Sequence, residues 1–136
     1  MPTASLIKLM HEGIKTTLYS QTGAGEFTTL INSRIYDTVG PEDKVMPYCI
    51  WTMIGSDVDV HFDSKERVTT QIAVQVYTDY KAGVSYHLTF LDALAAFRKF
   101  KGNNISMVLK SIGEITLEDR QLVSDTLFEA VIERES

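Results

Sequence analysis

The sequence predicts an α+β domain: a single antiparallel-dominated sheet of about four or five strands packed against two helices, with a long protruding hairpin. Three observations carry this expectation. Apolar residues recur at helical spacing near the start of the chain and again between residues 84 and 100. Strict in–out alternation marks a strand over Val68–Tyr77 and another near the end of the chain. No linker, internal repeat or low-complexity tract divides the 136 residues, so residues 1–136 read as one domain, long enough to bury one core.

Thr3 suits an N-cap, and Leu6, Ile7, Met10, Ile14 and Leu18 then share an arc of roughly 120°, with Lys8, Glu12 and Lys15 opposite. A helix packed on one side is expected from about Ala4 to Tyr19. The small residues Gln21-Thr22-Gly23-Ala24-Gly25 end it. Glu26 to Arg34 has no clear period and is assigned to a loop with a turn of helix; Ile35-Tyr36 is a short strand. Thr38 to Lys44, with Gly40-Pro41, is a solvent loop that Pro47 closes. Tyr48 to Ile54 is apolar on both faces apart from Thr52, which predicts a central strand covered on both sides. In the next strand Val68, Thr70, Ile72, Val74 and Val76 face one way and Thr69, Gln71 and Gln75 the other. These two strands should pair antiparallel, joined by the excursion Asp57-Val58-Asp59-Val60-His61-Phe62-Asp63 and Ser64-Lys65-Glu66.

Lys81-Ala82-Gly83 marks a turn into a second helix, from about Val84 to Phe100. Val84, Leu88, Leu91 and Ala95 form one apolar face, and Tyr86, Phe90, Leu94 and Phe97 another. Together they span roughly 200°, wider than one contact requires. The expectation is burial on two sides, with Leu88 and Leu91 on the sheet and the other face against the first helix or another molecule. Gly102-Asn103-Asn104 closes the helix. Ile105 to Thr116 and Leu122 to Arg134 read as two strands around a turn at Glu118-Asp119-Arg120. In the last, Phe128, Ala130 and Ile132 alternate with Glu129, Val131 and Glu133.

With 44% hydrophobic and 23% charged residues the composition is that of an ordinary globular chain. The most apolar stretch, Val45–Gly55, is too short to span a bilayer, so no membrane partner is expected. Lys8, His11 and Glu12 break any signal-peptide core, and the chain is expected to stay in the cytoplasm where it is made. Thirteen Lys and Arg stand against 18 Asp and Glu, a net charge of −5, which argues against a protein that grips DNA but not against one that DNA slides past. The densest basic run, Arg98-Lys99-Phe100-Lys101, suits the C-terminal end of the second helix, where cations complement the dipole.

Few residues point to chemistry. The single cysteine, Cys49, lies within an apolar strand, where it reads as a buried hydrophobe rather than a nucleophile. Asp57, Asp59, His61 and Asp63 recur at every second position, as hard-metal ligands on one strand face would. A helix–loop–helix calcium loop would need Gly and Glu where Phe62 and Val68 stand, so the stretch reads as a charged hairpin face that resists edge-to-edge aggregation. Gly23-Ala24-Gly25 follows a helix and lacks a Gly-Lys-Ser/Thr ending, so no phosphate loop is read there. His11 and His87 lie in predicted helices with no partner nearby in sequence. Trp51, Tyr77, Tyr86, Phe90 and Phe97 read as core or interface. No catalytic residue, metal or cofactor is assigned.

The order of elements carries a resemblance. An amphipathic helix precedes Arg34-Ile35-Tyr36-Asp37; a proline-containing loop leads to Met46-Pro47-Tyr48-Cys49-Ile50-Trp51; the alternating strand Val68–Tyr80 leads into a helix and two final strands. Over roughly Thr3 to Glu133 this resembles the tail-completion or tail-terminator proteins of long-tailed bacteriophages. The resemblance implies a non-enzymatic virion protein at the tail–neck junction. It also implies a homo-oligomer, a hexameric ring that ends the tail tube and meets the tail-tube and neck or head-completion proteins, with DNA only passing through the lumen. On that expectation the hairpin Asp57, Val58, Asp59, Val60, His61, Phe62 and Asp63 forms a subunit interface or lines the lumen, and the helix face Tyr86, Phe90 and Phe97 forms a second interface. The Gly-rich segment Gln21–Gly25 and the acidic excursion are elaborations on the pattern. A small monomeric binding or inhibitor module is the alternative. A small hydrolase or transferase would need Cys49 or a serine exposed beside a histidine.

Overall fold

The computed structural model describes residues 3–19, 27, 30–31, 34–40, 45–60, 65–95, 99–102 and 105–135. Helix α1 (Thr3–Tyr19) is followed by strands β1 (Ile35–Asp37), β2 (Tyr48–Val60) and β3 (Lys65–Asp79). A 3₁₀ turn at Tyr80–Ala82 leads into helix α2 (Val84–Leu94), and strands β4 (Lys99–Gly102), β5 (Ile105–Ile112), β6 (Thr116–Glu118) and β7 (Gln121–Glu135) complete the order.

These strands form one mixed sheet in the order β1-β2-β3-β7-β5-β4, with β6 also on β7, and the sheet curls into a half-barrel. β1 is parallel to β2; every other pairing is antiparallel. The expected sheet of four or five strands is thus corrected to a seven-stranded one. Two of the extra strands come from segments read otherwise: Lys99–Gly102, taken for a helix end, is an edge strand, and the stretch 105–116 is broken into β5 and β6. The expected protruding hairpin is present as the paired ends of β2 and β3, but it does not stand apart from the sheet. β2 runs on through Asp57–Val60, which pair with Thr69, Val68, Arg67 and Glu66, while β7 backs the same stretch of β3 on its other side. A bulge at Gly55, whose φ of 67° favours glycine, lets β2 keep its inward face through this extension. His61, Phe62 and Asp63 lie outside the described residues.

Burial follows the alternation. Cys49 and Trp51 of β2, Val68, Ile72, Val74 and Val76 of β3, Met107 of β5 and Phe128, Ala130 and Ile132 of β7 lie in one core with Leu6, Met10, Ile14 and Leu18 of α1. Each of the Val, Leu, Ile, Met and Phe side chains among them contributes about 1.5–3 kcal/mol by leaving water. The pairing of Tyr48–Ile54 with Val68–Tyr77 is in the expected antiparallel sense, with Trp51 opposite Val74. The expectation that β2 is covered on both faces is not met. Ile50 and Thr52 are half-buried on the outward face, and Ile54 is 50% exposed. Near β1 that face closes over itself, where Tyr48 stacks on Tyr77 with ring centroids 4.5 Å apart and Tyr36 lies tilted beside it.

Helix α2 differs from its prediction in extent and in burial. It ends at Leu94 rather than Phe100, and it buries one stripe: His87, Phe90, Leu91 and Leu94, with Ala93 beside them. Leu91 lies in the core as expected, but Leu88 and Val84 are about half exposed. The helix is rotated because His87, a polar residue, takes the inward position next to Leu88. At the far end, Asp119 and Arg120 both adopt positive φ, 46° and 65°, in a two-residue turn between Glu118 and Gln121. That is the twist of a type I′ hairpin.

Candidate functional site

Among the described residues, His87 is held by hydrogen bonds at both ring nitrogens. β3 presents Thr78 and β7 presents Ser124 on the inward face, and α2 lowers the imidazole between them. Thr78 Oγ1 lies 2.8 Å from Nδ1 and Ser124 Oγ 2.7 Å from Nε2, and all three residues are buried. A neutral imidazole offers one donor and one acceptor, so each ring nitrogen is matched by a hydroxyl. Burial pushes the His87 pKa down, and no described carboxylate touches the ring to offset it. A serine beside a histidine suggests nucleophilic chemistry, but Ser124 is 1% exposed and the third group is a threonine in place of an acid. The arrangement fastens α2 to the two central strands; it gives a substrate no access. Sequence reasoning missed it because the partners stand 9 and 37 positions from His87.

The other described histidine, His11, fixes α1 to the edge of the sheet. Its Nε2 lies 2.7 Å from Asp37 Oδ2, its ring sits 5.1 Å from the Trp51 ring, and Trp51 Nε1 donates to the Tyr19 hydroxyl at 3.2 Å. Asp37 also accepts from Thr38 Oγ1. Asp37 belongs to the Arg34–Asp37 segment on which the sequence resemblance partly rests, and its contact with α1 gives that segment a structural task. Cys49 is fully buried and burial pushes its thiol far up from the ordinary range, so it offers no thiolate.

The acidic stretch holds no metal-binding arrangement among the described residues. Asp57 is exposed beside Thr69, and Asp59 pairs in register with Arg67, whose guanidinium donates to Glu133 Oε1. Val58 opposes Val68 and is 47% exposed. Val60 pairs with Glu66 at the end of β2. Of the expected interface helix face, Phe90 is 1% exposed, sealed in this chain's own core, and so offers nothing to a second molecule. Tyr86 stands edge-on to Phe90 and stays 41% exposed; Phe97 lies outside the described residues. The basic run changes character. Lys99 and Lys101 lie on edge strand β4, both exposed, rather than at a helix end.

What remains accessible is the outward face of the sheet and an open pocket of about 840 Å³ lined in part by Leu6, Arg67, Lys101, Ile105, Ser106 and Glu133. The outward face of the sheet carries Thr52, Ile54, Ala73, Val108, Leu127 and Val131, and among the described residues no helix lies over it. No described helix is long and apolar enough to cross a membrane.

No family model matches the chain, and no curated protein matches it. Its fold is similar to that of a chain in the virion of a native gene transfer agent particle, at 16% identity and a TM-score of 0.58, over 84% of this chain and 94% of that one. It is equally similar, at a TM-score of 0.58 and 9% identity, to a second solved protein, over 93% of this chain and 97% of that one. At these identities the likeness is one of fold.

Proposed function

We propose that this chain is a structural protein of a phage-like virion, and specifically a tail-completion subunit, one of six in a ring that ends the tail tube and joins it to the neck and head. The observation that supports this most is the shared fold with a chain of the gene transfer agent virion, which spans most of both chains. The order of elements in the sequence supports the finer reading. The surfaces are consistent with it: every described nucleophile–histidine contact is sealed, while the outward sheet face and an acidic strand end are open. In this reading the stretch Asp57–Asp63 meets a neighbouring subunit or faces the lumen, and Tyr86 marks a secondary contact. The tail-tube protein and a neck protein are the partners. The net charge of −5 lets DNA pass through the ring without adhering.

The test is electron microscopy of the purified protein mixed with tail tubes. A six-fold ring on the tube end is expected, with tails that overgrow or lack heads when the protein is withheld. A chain that stays monomeric in solution and on tubes overturns the reading and favours a monomeric binding module.

A further inference from the structure

Both edges of the curled sheet are open among the described residues. β1 pairs with β2 only over Cys49–Trp51, and no described strand covers that side of β2 from Thr52 to Val60. At the opposite edge, β4 pairs with β5 and its other side is uncovered. An open edge presents unpaired N–H and C=O groups that invite another strand.

The registers relate the two edges. Lys101 pairs with Ser106, Ser106 with Val131, Val131 with Thr69 and Thr69 with Asp57. Lys101 and Asp57 therefore stand in one cross-strand row, on one face of the sheet, at its two ends, and both are exposed. Lys99 lies two positions from Lys101, and Asp59 two positions from Asp57. The row of Lys99 ends at Ile54, and Asp59 lies beyond Asp57 in the other direction, so the charges matched in height are Lys101 and Asp57. Strand direction reverses at each step from β2 through β3, β7 and β5 to β4, so β2 and β4 run the same way.

We propose that the β4 edge of one copy adds in parallel to the β2 edge of the next beside residues 55–58, so that the sheet continues from subunit to subunit with Lys101 of one copy beside Asp57 of its neighbour. This deepens the ring reading and rests on it. The contact is heterologous, joining two different edges, as a cyclic ring requires. The incoming strand would lie in line with β1, which already runs parallel to β2. Wrong pairings are disfavoured, since two β2 edges would oppose carboxylates and two β4 edges would oppose ammonium groups.

The experiment compares Asp57→Lys, Lys101→Glu and their equimolar mixture by native mass spectrometry and by thermal melting of each. Both side chains are exposed, so each variant should melt with the wild type. Each alone should assemble at least about tenfold more weakly, because like charges then meet at the contact. The mixture should recover assembly, since each variant supplies the charge the other lacks. A second measurement uses the double variant Asp57→Cys, Lys101→Cys, which should cross-link between copies on oxidation. A wild-type ring whose charge variants assemble normally and whose cysteine pair stays unlinked overturns this pairing and leaves the ring standing. A wild-type chain that is monomeric in solution and on tail tubes overturns both.

Discussion

His87 is held by two hydroxyls and by no opposite charge, which makes it sensitive to acid. Burial lowers its native pKa below the ordinary value near 6.5. In the unfolded chain the same ring takes up a proton as pH falls through about 6.5, while the native ring stays neutral. The unfolded state then binds more protons, so this contribution to stability is fully present above pH 6.5 and is lost as pH drops toward the native pKa. A lower urea midpoint at pH 5.5 than at pH 8 is expected. His87→Leu should remove that part of the pH dependence and cost about 1–3 kcal/mol at pH 8, by leaving buried hydroxyls unpaired. An unchanged pH slope in the variant would mean that another group governs the acid response. At this scale the sequence was least legible: it located the histidine on a helix, but its partners lie on β3 and β7 and meet it only in three dimensions.

Helix α2 and the β6–β7 turn carry the tests at the scale of elements. Leu91 is 5% exposed and Leu88 is 48% exposed, one turn apart on the same helix. Leu91→Ala should cost about 2–5 kcal/mol in chemical denaturation, whereas Leu88→Ala should cost under about 1 kcal/mol. Equal losses would place the buried stripe wrongly. In the turn, Asp119 and Arg120 occupy positive φ, a conformation that disfavours side chains with a Cβ. Replacing the pair by Asp119→Asn and Arg120→Gly should raise stability by about 1 kcal/mol. Periodicity located α1 and β7 within a residue and β3 within three, because each repeats its pattern over several turns or pleats. It overran α2 because Phe97 and Phe100 extend an apolar spacing that helix and strand share over so short a run. It missed β4 for the same reason, since four residues cannot display a period.

For the molecule as a whole, the sequence revealed which residues face inward but not how many strands they are divided among. Val68, Ile72, Val74 and Val76 alternate clearly, and so do Phe128, Ala130 and Ile132, yet nothing local states that β3 and β7 lie side by side at the middle of the sheet. Of the candidate site, the acidic stretch was legible from its spacing, while its opposite number on β4 emerged only from the register across five strands. The adjacency of β3 and β7 also has a consequence in time. β3 ends at Asp79 and its partner β7 begins at Gln121, 42 positions later. At about 5–20 residues per second, a ribosome takes roughly 2–8 s to reach the first residue of the missing strand. Until then β3 has only β2 beside it, its inward valines and isoleucine lack Phe128 and Ile132, and His87 lacks Ser124. The newborn chain is thus an adhesive intermediate for several seconds of every round of synthesis. Chains ended before Gln121 should be recovered as aggregates or bound to chaperones, and soluble, folded product from such a truncation would show that residues 1–120 can bury their core without β7.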